Sequence, residues 1–334
     1  MAQKRIGVAL SGGGMRACVF HLGVFKCLAA EGLWGQIESL SSVSGASLCV
    51  ALIFSIAGNR WPTASQFLEF VLPEIRRRIL AADIQMAALW RLLLRPAAFI
   101  TTGCWFDKVK LVARAMETEW GIAGTLQDLP DRPHWEINCT TFETGKSFRI
   151  RKDYMGDRAL GYTQKPCLPI ADMAAASAGF PVLIGPYRLD MRRYSWSADK
   201  YGWVPLETQR KYCSLWDGGV YDNLGLEALF KIGRGLDEEI DFLIVSNASD
   251  GGKMVERAFF RPLRNLRRLL DIALEQVVSL RTRDVMASVV EKGNGVYIRI
   301  DGAARQYPTT LRSPSAADFD LLLQHGYEQA RKVL

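Results

Sequence analysis

The sequence predicts an α/β fold: a mostly parallel sheet with helices on its faces, interrupted by a helical insertion around residues 61–130. Three observations carry this. Apolar strand-like runs alternate with runs of helical period through the first sixty residues, the pattern of βα units. Residues 61–121 keep helical spacing with little strand signal. Further buried apolar runs at 241–249 and 295–301 supply later strands.

The elements follow in order. "RIGVAL" (5–10) is a short apolar run stopped by Ser11 and Gly12, as a buried strand would be. In residues 17–33, Val19, Leu22, Val24, Leu28 and Ala29 form one stripe, and Gly32 marks a helix end. "QIESLSSV" (36–43) reads as a second strand, and "GASLCVALIFSIAG" (45–58) as an apolar helix. Residues 135–150 read as two strands around a Glu-Thr-Gly turn, and 170–189 as a small-residue helix leading to a strand. Residues 315–334 read as a C-terminal helix. With no linker rich in Pro, Gly or Ser, one domain over 1–334 is expected.

The bulk composition narrows the function classes. The 334 residues are 49% hydrophobic and 23% charged, which suits a globular chain with a large core. A net charge of +7 favours anionic partners, a membrane surface among them. Without zinc-finger spacing or a basic tail, specific nucleic-acid binding is not expected. Seven scattered cysteines, none in a CxxC pair, read as thiols in a reducing compartment, with no metal site. No secretory leader and no long apolar span is evident, so a cytoplasmic location is expected.

Two turns carry chemistry. Gly12, Gly13 and Gly14 lie between a strand and a helix, and Gly12-x-Gly14-x-x-Ala17 fits a dinucleotide fingerprint. That fingerprint wants an acid at the end of the second strand. Glu38 falls early in it, and the strand ends instead in Ser41-Ser42-Val43-Ser44-Gly45. Ser42-Val43-Ser44-Gly45-Ala46 resembles a nucleophile elbow, with small residues two either side of Ser44. Ser44 fits a helix N-cap equally well. "LWDGGVYDNLG" (215–225) places Asp217 before two glycines, where a plain turn is the simpler reading. His21 and His134 do not stand in the chain order a Ser–Asp–His triad of the hydrolase kind needs, and His325 lies far off in the last helix.

Together, Ser11-Gly12-Gly13-Gly14-Met15-Arg16, the Ser44 turn, Ala176-Ser177-Ala178-Gly179-Phe180-Pro181, and Asp217-Gly218-Gly219 with Asp222-Asn223 resemble the patatin-like phospholipase family. The resemblance covers roughly residues 5–225, and weakens through the insertion and after about residue 250. It implies a three-layer α/β/α sandwich. It also implies Ser44 as nucleophile and Asp217 as its base in a Ser–Asp dyad. Gly12, Gly13, Gly14 and Arg16 would form the oxyanion hole, with no metal or organic cofactor. The implied reaction is phospholipase A-like cleavage of acyl esters in membrane phospholipids through an acyl-enzyme. Ser42 and Ala46 depart from the family's elbow, where glycines are usual.

Two segments suit peripheral contact with an anionic membrane. In 255–280, Phe259, Leu263, Leu266, Leu270, Ala273 and Val277 share one face, with Arg257, Arg261, Arg264 and Arg268 on another. Residues 75–100 are denser in apolar side chains and include Trp90. Both also fit ordinary packing. A homo-oligomer and an activator are compatible with the sequence. The alternatives are a catalytically weak or inactive lipid- or partner-binding module on the same fold, and a dinucleotide-binding oxidoreductase.

Overall fold

A computed structural model describes residues 4–93, 108–180, 184–208, 210–249 and 262–334. Pro181, the end of the 75–100 segment and the beginning of the 255–280 segment lie outside them.

The chain opens with β1 (Ile6–Leu10), α1 (Gly14–Ala30), β2 (Ile37–Val43) and α2 (Gly45–Ile56). The crossover from β2 to its parallel neighbour carries α3 (Leu72–Ala81), α4 (Ile84–Leu93) and α5 (Lys108–Trp120). The expected helical insertion is therefore this crossover, lengthened. Then come β3 (His134–Thr141), β4 (Ser147–Ile150), β5 (Tyr154–Asp157), β6 (Gly161–Gln164) and α6 (Ile170–Ser177). β7 (Tyr187–Asp190), β8 (Trp196–Ser197), β9 (Pro205–Leu206), β10 (Tyr212–Asp217) and α7 (Gly219–Asp222) follow. The last third adds β11 (Phe242–Asn247), α8 (Pro262–Val285), β12 (Gly295–Arg299) and α9 (Ala316–Arg331).

The sheet is mixed. The run β12–β11–β1–β2–β3 is parallel, as the alternation of elements predicts. From β3 outward, β4, β5, β6, β8 and β9 add antiparallel strands. These strands are short, and β3 to β6 follow one another through brief turns, so no helical crossover announces them in the sequence. β11 and β12, from the last third of the chain, pair into the same sheet as β1.

Helices cover both faces, giving the α/β/α layering. Val8, Leu10 and Leu40 on one face pack with α1 and α2. On the other, Ala9, Leu243 and Val245 pack with Leu224, Leu226, Leu229, Val285 and Val289. Parallel strands buried on both faces read as unbroken apolar runs, which is why β1 and β11 are legible.

Register sets the position of the site. Cys139 pairs with Phe148 of β4 on one edge of β3 and with Asp217 of β10 on the other. β2 occupies that second edge lower down, ending at Val43 opposite Asn138. Thus β2 and β10 approach along the same edge of β3 from opposite directions and meet end to end. The residues just past their ends are Ser44 and Gly218. Beside them, Leu10 lies opposite Ser42, so the glycine loop leaving β1 arrives at the same point.

Candidate active site

Ser44 sits on the turn from β2 into α2 at φ 54° and ψ −121°, a conformation costly for any residue with a Cβ. Such strain persists only where the surroundings impose it. Here it thrusts the side chain out of the strand–helix corner, as a nucleophile elbow requires. The small neighbours allow this corner. Gly45 lies against the Gly14 carbonyl so closely that a Cβ there would strike it. The departures at 42 and 46 are accommodated: Ala46 is fully buried in the core, and the Ser42 hydroxyl is hydrogen-bonded to Ser47 and Trp135.

Asp217 ends β10 and is 4% exposed. Burial raises its carboxyl from the ordinary value to about 6, against hydrogen bonds donated by the Gly219 N–H, at 2.8 Å, and the Ser44 hydroxyl. The structure therefore places the Ser44 hydroxyl near enough to the Asp217 carboxyl to oppose that rise. Its backbone is held on both sides: its N–H donates to Gly179 O at 3.2 Å, and its carbonyl accepts from Thr140 Oγ1 at 2.9 Å.

The glycine loop closes the site. A Cβ on Gly12 would lie 3.1 Å from Ser44 Cβ and would collide with Asn223 Oδ1. Its N–H, however, donates to the Asn223 carbonyl at 3.0 Å, so the four expected donors are not equivalent. α1 begins at Gly14, earlier than its apolar stripe suggests, and Gly13 and Gly14 take φ of 148° and 62°. The next N–H, of Met15, donates to Thr310 O at 2.7 Å. Among the described residues no backbone acceptor takes the N–H of Gly13 or Gly14. Both lie at the positive end of α1.

Arg16 stays beside the loop, where a Cβ on Gly13 would touch its Nη2. Its buried guanidinium is also held by the last third of the chain: Nε donates to Ala248 O at 3.0 Å, Nη1 to Tyr307 O at 2.5 Å and Nη2 to Thr309 Oγ1 at 3.1 Å. The fork of N–H groups fits these oxygens and ties the first helix to the chain's last third. Arg16→Met would leave buried carbonyls without donors. It is expected to lower the unfolding free energy by about 3 kcal/mol, measured by denaturant titration.

The histidines lie elsewhere. His21 is buried and held neutral, its value lowered to about 4 by burial. Its Nε2 meets Ser11 O at 2.9 Å, so Nε2 carries the proton and Nδ1 accepts from the Ser246 hydroxyl at 2.8 Å. His134 neighbours Glu239, and His325 neighbours Asp301. Glu38, the only acid near a ribose-clamp position, pairs with Arg132 at the start of β2, away from the loop. Among the described residues no cluster of three or more metal-ligating side chains occurs, and no helix is long and apolar enough to cross a membrane.

Of the two membrane candidates, α4 exposes Leu89, Trp90 and Leu93, and α8 exposes Leu269, Ile272 and Leu280.

Sequence reasoning named Asn223 within a motif without seeing that its carbonyl anchors Gly12, and missed Thr310, which caps Met15. Both act through backbone atoms, which leave no residue-type signal. The Ala176–Phe180 block, recognised without a role, lies directly beneath the elbow.

Comparison with known proteins places these observations. In fold, the chain is similar to human GIVD cytosolic phospholipase A2 in complex with methyl gamma-linolenyl fluorophosphonate and terbium chloride. The two are 14% identical with a TM-score of 0.56, covering 98% of this chain and 58% of that one. A second structure of human GIVD cytosolic phospholipase A2 matches at 15% identity and a TM-score of 0.50, covering 81% and 48%. VipD from Legionella pneumophila matches at 15% identity over 99% of this chain and 66% of its own, with a TM-score of only 0.45. The chain thus spans about half to two-thirds of the length of these structures. No curated protein matches it in sequence. The patatin-like phospholipase family profile matches residues 8–230, two-thirds of the chain and all four motif blocks, and the chain belongs to that family.

Proposed function

We propose that the protein is a phospholipase A-like serine hydrolase acting on acyl esters of membrane phospholipids. The observation that carries this reading is the buried Asp217 carboxyl, raised to about 6 and hydrogen-bonded to a serine in a strained elbow. An ordinary aspartate is too weak a base to activate a hydroxyl, and burial brings it toward neutrality.

In the proposed reaction Ser44 Oγ attacks the ester carbonyl while its proton passes to Asp217. The carbonyl oxygen becomes an oxyanion, received by the N–H groups of Gly13 and Gly14. Each such donor contributes about 2.7–4 kcal/mol in comparable sites. Collapse of the tetrahedral species breaks the ester C–O bond, and Asp217 returns the proton to the departing lysolipid oxygen. Water then gives its proton to Asp217 and attacks the acyl-enzyme. Collapse frees Ser44, reprotonated by Asp217, and a fatty acid. No cofactor enters any step. Access to lipid is assigned to peripheral contact with an anionic surface, supported by the net charge of +7 and the exposed Trp90.

The pH dependence follows with its sign. Asp217 works only when ionised, so kcat/KM is expected to rise with pH through a midpoint at about 6 and to level off above it. Its stability contribution runs the other way. With the folded value above the unfolded one, burial of the charge destabilises the fold above about pH 6, and the penalty fades as pH falls below that value. A kcat/KM profile on a soluble ester checks the limb. The function itself is tested by fatty-acid release from anionic phospholipid vesicles. Release is expected; its absence, with the lipid bound, would favour the binding-module alternative.

A further inference from the structure

Ser177, at the end of α6, is fully buried and its hydroxyl makes three hydrogen bonds. It accepts from the Ser44 N–H at 3.0 Å and from the Ser47 hydroxyl at 2.9 Å, and donates to Asn138 O at 2.7 Å. The Ser47 hydroxyl in turn meets Ser42 Oγ at 2.8 Å, and Ser42 Oγ accepts from Trp135 Nε1 at 2.8 Å. An indole N–H can only donate and a carbonyl can only accept. The chain therefore has one direction: Trp135 to Ser42, Ser42 to Ser47, Ser47 to Ser177, Ser177 to Asn138. With its proton committed to Asn138, Ser177 must present a lone pair to the Ser44 N–H.

The same turn also holds the other half of the site. Gly218 N–H donates to Ser177 O at 3.4 Å, and Asp217 N–H donates to Gly179 O at 3.2 Å. Residues 177–179 thus touch the backbones of Ser44, Asp217 and Gly218, where β2 and β10 meet. The departure at Ser42 gains a reason as well, since a glycine there would remove a link between Trp135 and Ser47.

We propose that Ser177 is the positioning residue of the Ser44–Asp217 pair, its hydroxyl holding the nucleophile's strained backbone in place at the end of a polarised hydroxyl chain. This rests on the reading of Ser44 as the nucleophile. Without the bond, the Ser44 peptide loses its anchor and the elbow relaxes toward ordinary angles. Misplacement of about 1 Å costs on the order of a hundredfold in rate.

The test uses Ser177→Thr and Ser177→Val, which match in shape and differ in the hydroxyl. The measurements are kcat and KM on a p-nitrophenyl acyl ester, the rate of labelling by a fluorophosphonate, and the thermal midpoint. Ser177→Val is expected to lose about a hundredfold in kcat and in labelling rate, with KM within about twofold, and Ser177→Thr to recover most of the loss. Ser197→Ala removes a buried hydroxyl at the far edge of the sheet, bonded to Tyr162 O and Asp199 O. It is expected to lower the thermal midpoint without changing kcat or the labelling rate. Equal kcat in the Thr and Val variants, or a Val loss confined to the thermal midpoint, overturns the proposal. Ser44→Ala, measured alongside, separates the two layers. Retained activity there removes the nucleophile assignment and this proposal together, whereas an inactive Ser44→Ala with equal Thr and Val variants removes the positioning role alone.

Discussion

Ser44→Ala and Asp217→Asn are each expected to abolish fatty-acid release, by on the order of 10⁴-fold or more, while the fold persists. The two losses have different origins. Ser44→Ala removes the attacking oxygen but keeps the Cβ and the backbone bond to Ser177 Oγ. Asp217→Asn keeps the shape and the acceptor for the Gly219 N–H, but leaves nothing to take the serine proton. Asp217→Asn also removes a carboxylate whose burial is costly. Its thermal midpoint at pH 8 is therefore expected to equal or exceed that of the wild type, which separates lost chemistry from lost structure. Because the residues act as a unit, the double variant should be about as inactive as either single one.

Gly45→Ala produces the second largest effect, and by a different route. The added methyl would lie on the Gly14 carbonyl, a backbone atom held at the start of α1. Neither partner yields easily. Gly14 is pressed from the other side by Thr310, whose carbonyl lies within 2.5 Å of where a Gly14 Cβ would sit. Either α2 moves, carrying Ser44, or the glycine loop moves, carrying the N–H groups of Gly13 and Gly14. We expect a stability loss of about 1–3 kcal/mol and a fall in kcat of about a hundredfold. Denaturant titration and steady-state kinetics on a soluble ester check both. A Gly45→Ala protein with unchanged kcat would mean that the loop and the elbow do not act together.

The contrast between Gly45 and Ala46 shows what a sequence can and cannot reveal here. Read as letters, Ala46 was, with Ser42, an irregular position, because the elbow pattern asks for glycine there. In three dimensions Ala46 packs without difficulty in the core, and the position that tolerates no methyl is Gly45. The first four elements were legible because parallel strands buried on both faces are continuous apolar runs, punctuated by glycine and serine. The short antiparallel strands beyond β4 were not, and neither was the end-to-end meeting of β2 and β10. That meeting depends on which residues pair across β3, and a one-residue change of register would move Asp217 to the other face.

Residue roles divide along the same line. Ser44 and Asp217 stand out in the sequence because the proposed chemistry lies in their side chains and their neighbours are small. Arg16 was read only through its position next to three glycines, and its anchoring to the far end of the chain was missed. Its partners at Ala248, Tyr307 and Thr309 come from the distant end of the chain, beyond the reach of local pattern. Gly12 was counted as a donor because its carbonyl partner at Asn223 has no signature in sequence. Ser177 was noticed inside a motif but left without a task, because its bonds run to a backbone N–H, a backbone carbonyl and another serine.

The central claim is that Ser44 is a nucleophile activated by Asp217. Incubation of the intact protein with a fluorophosphonate, followed by mass measurement and peptide mapping, tests it most directly. The account predicts one covalent adduct, carried by the peptide containing Ser44, and formed at a rate that rises with pH through a midpoint at about 6. No adduct on folded protein, or an adduct on a different serine that persists in Ser44→Ala, would contradict it.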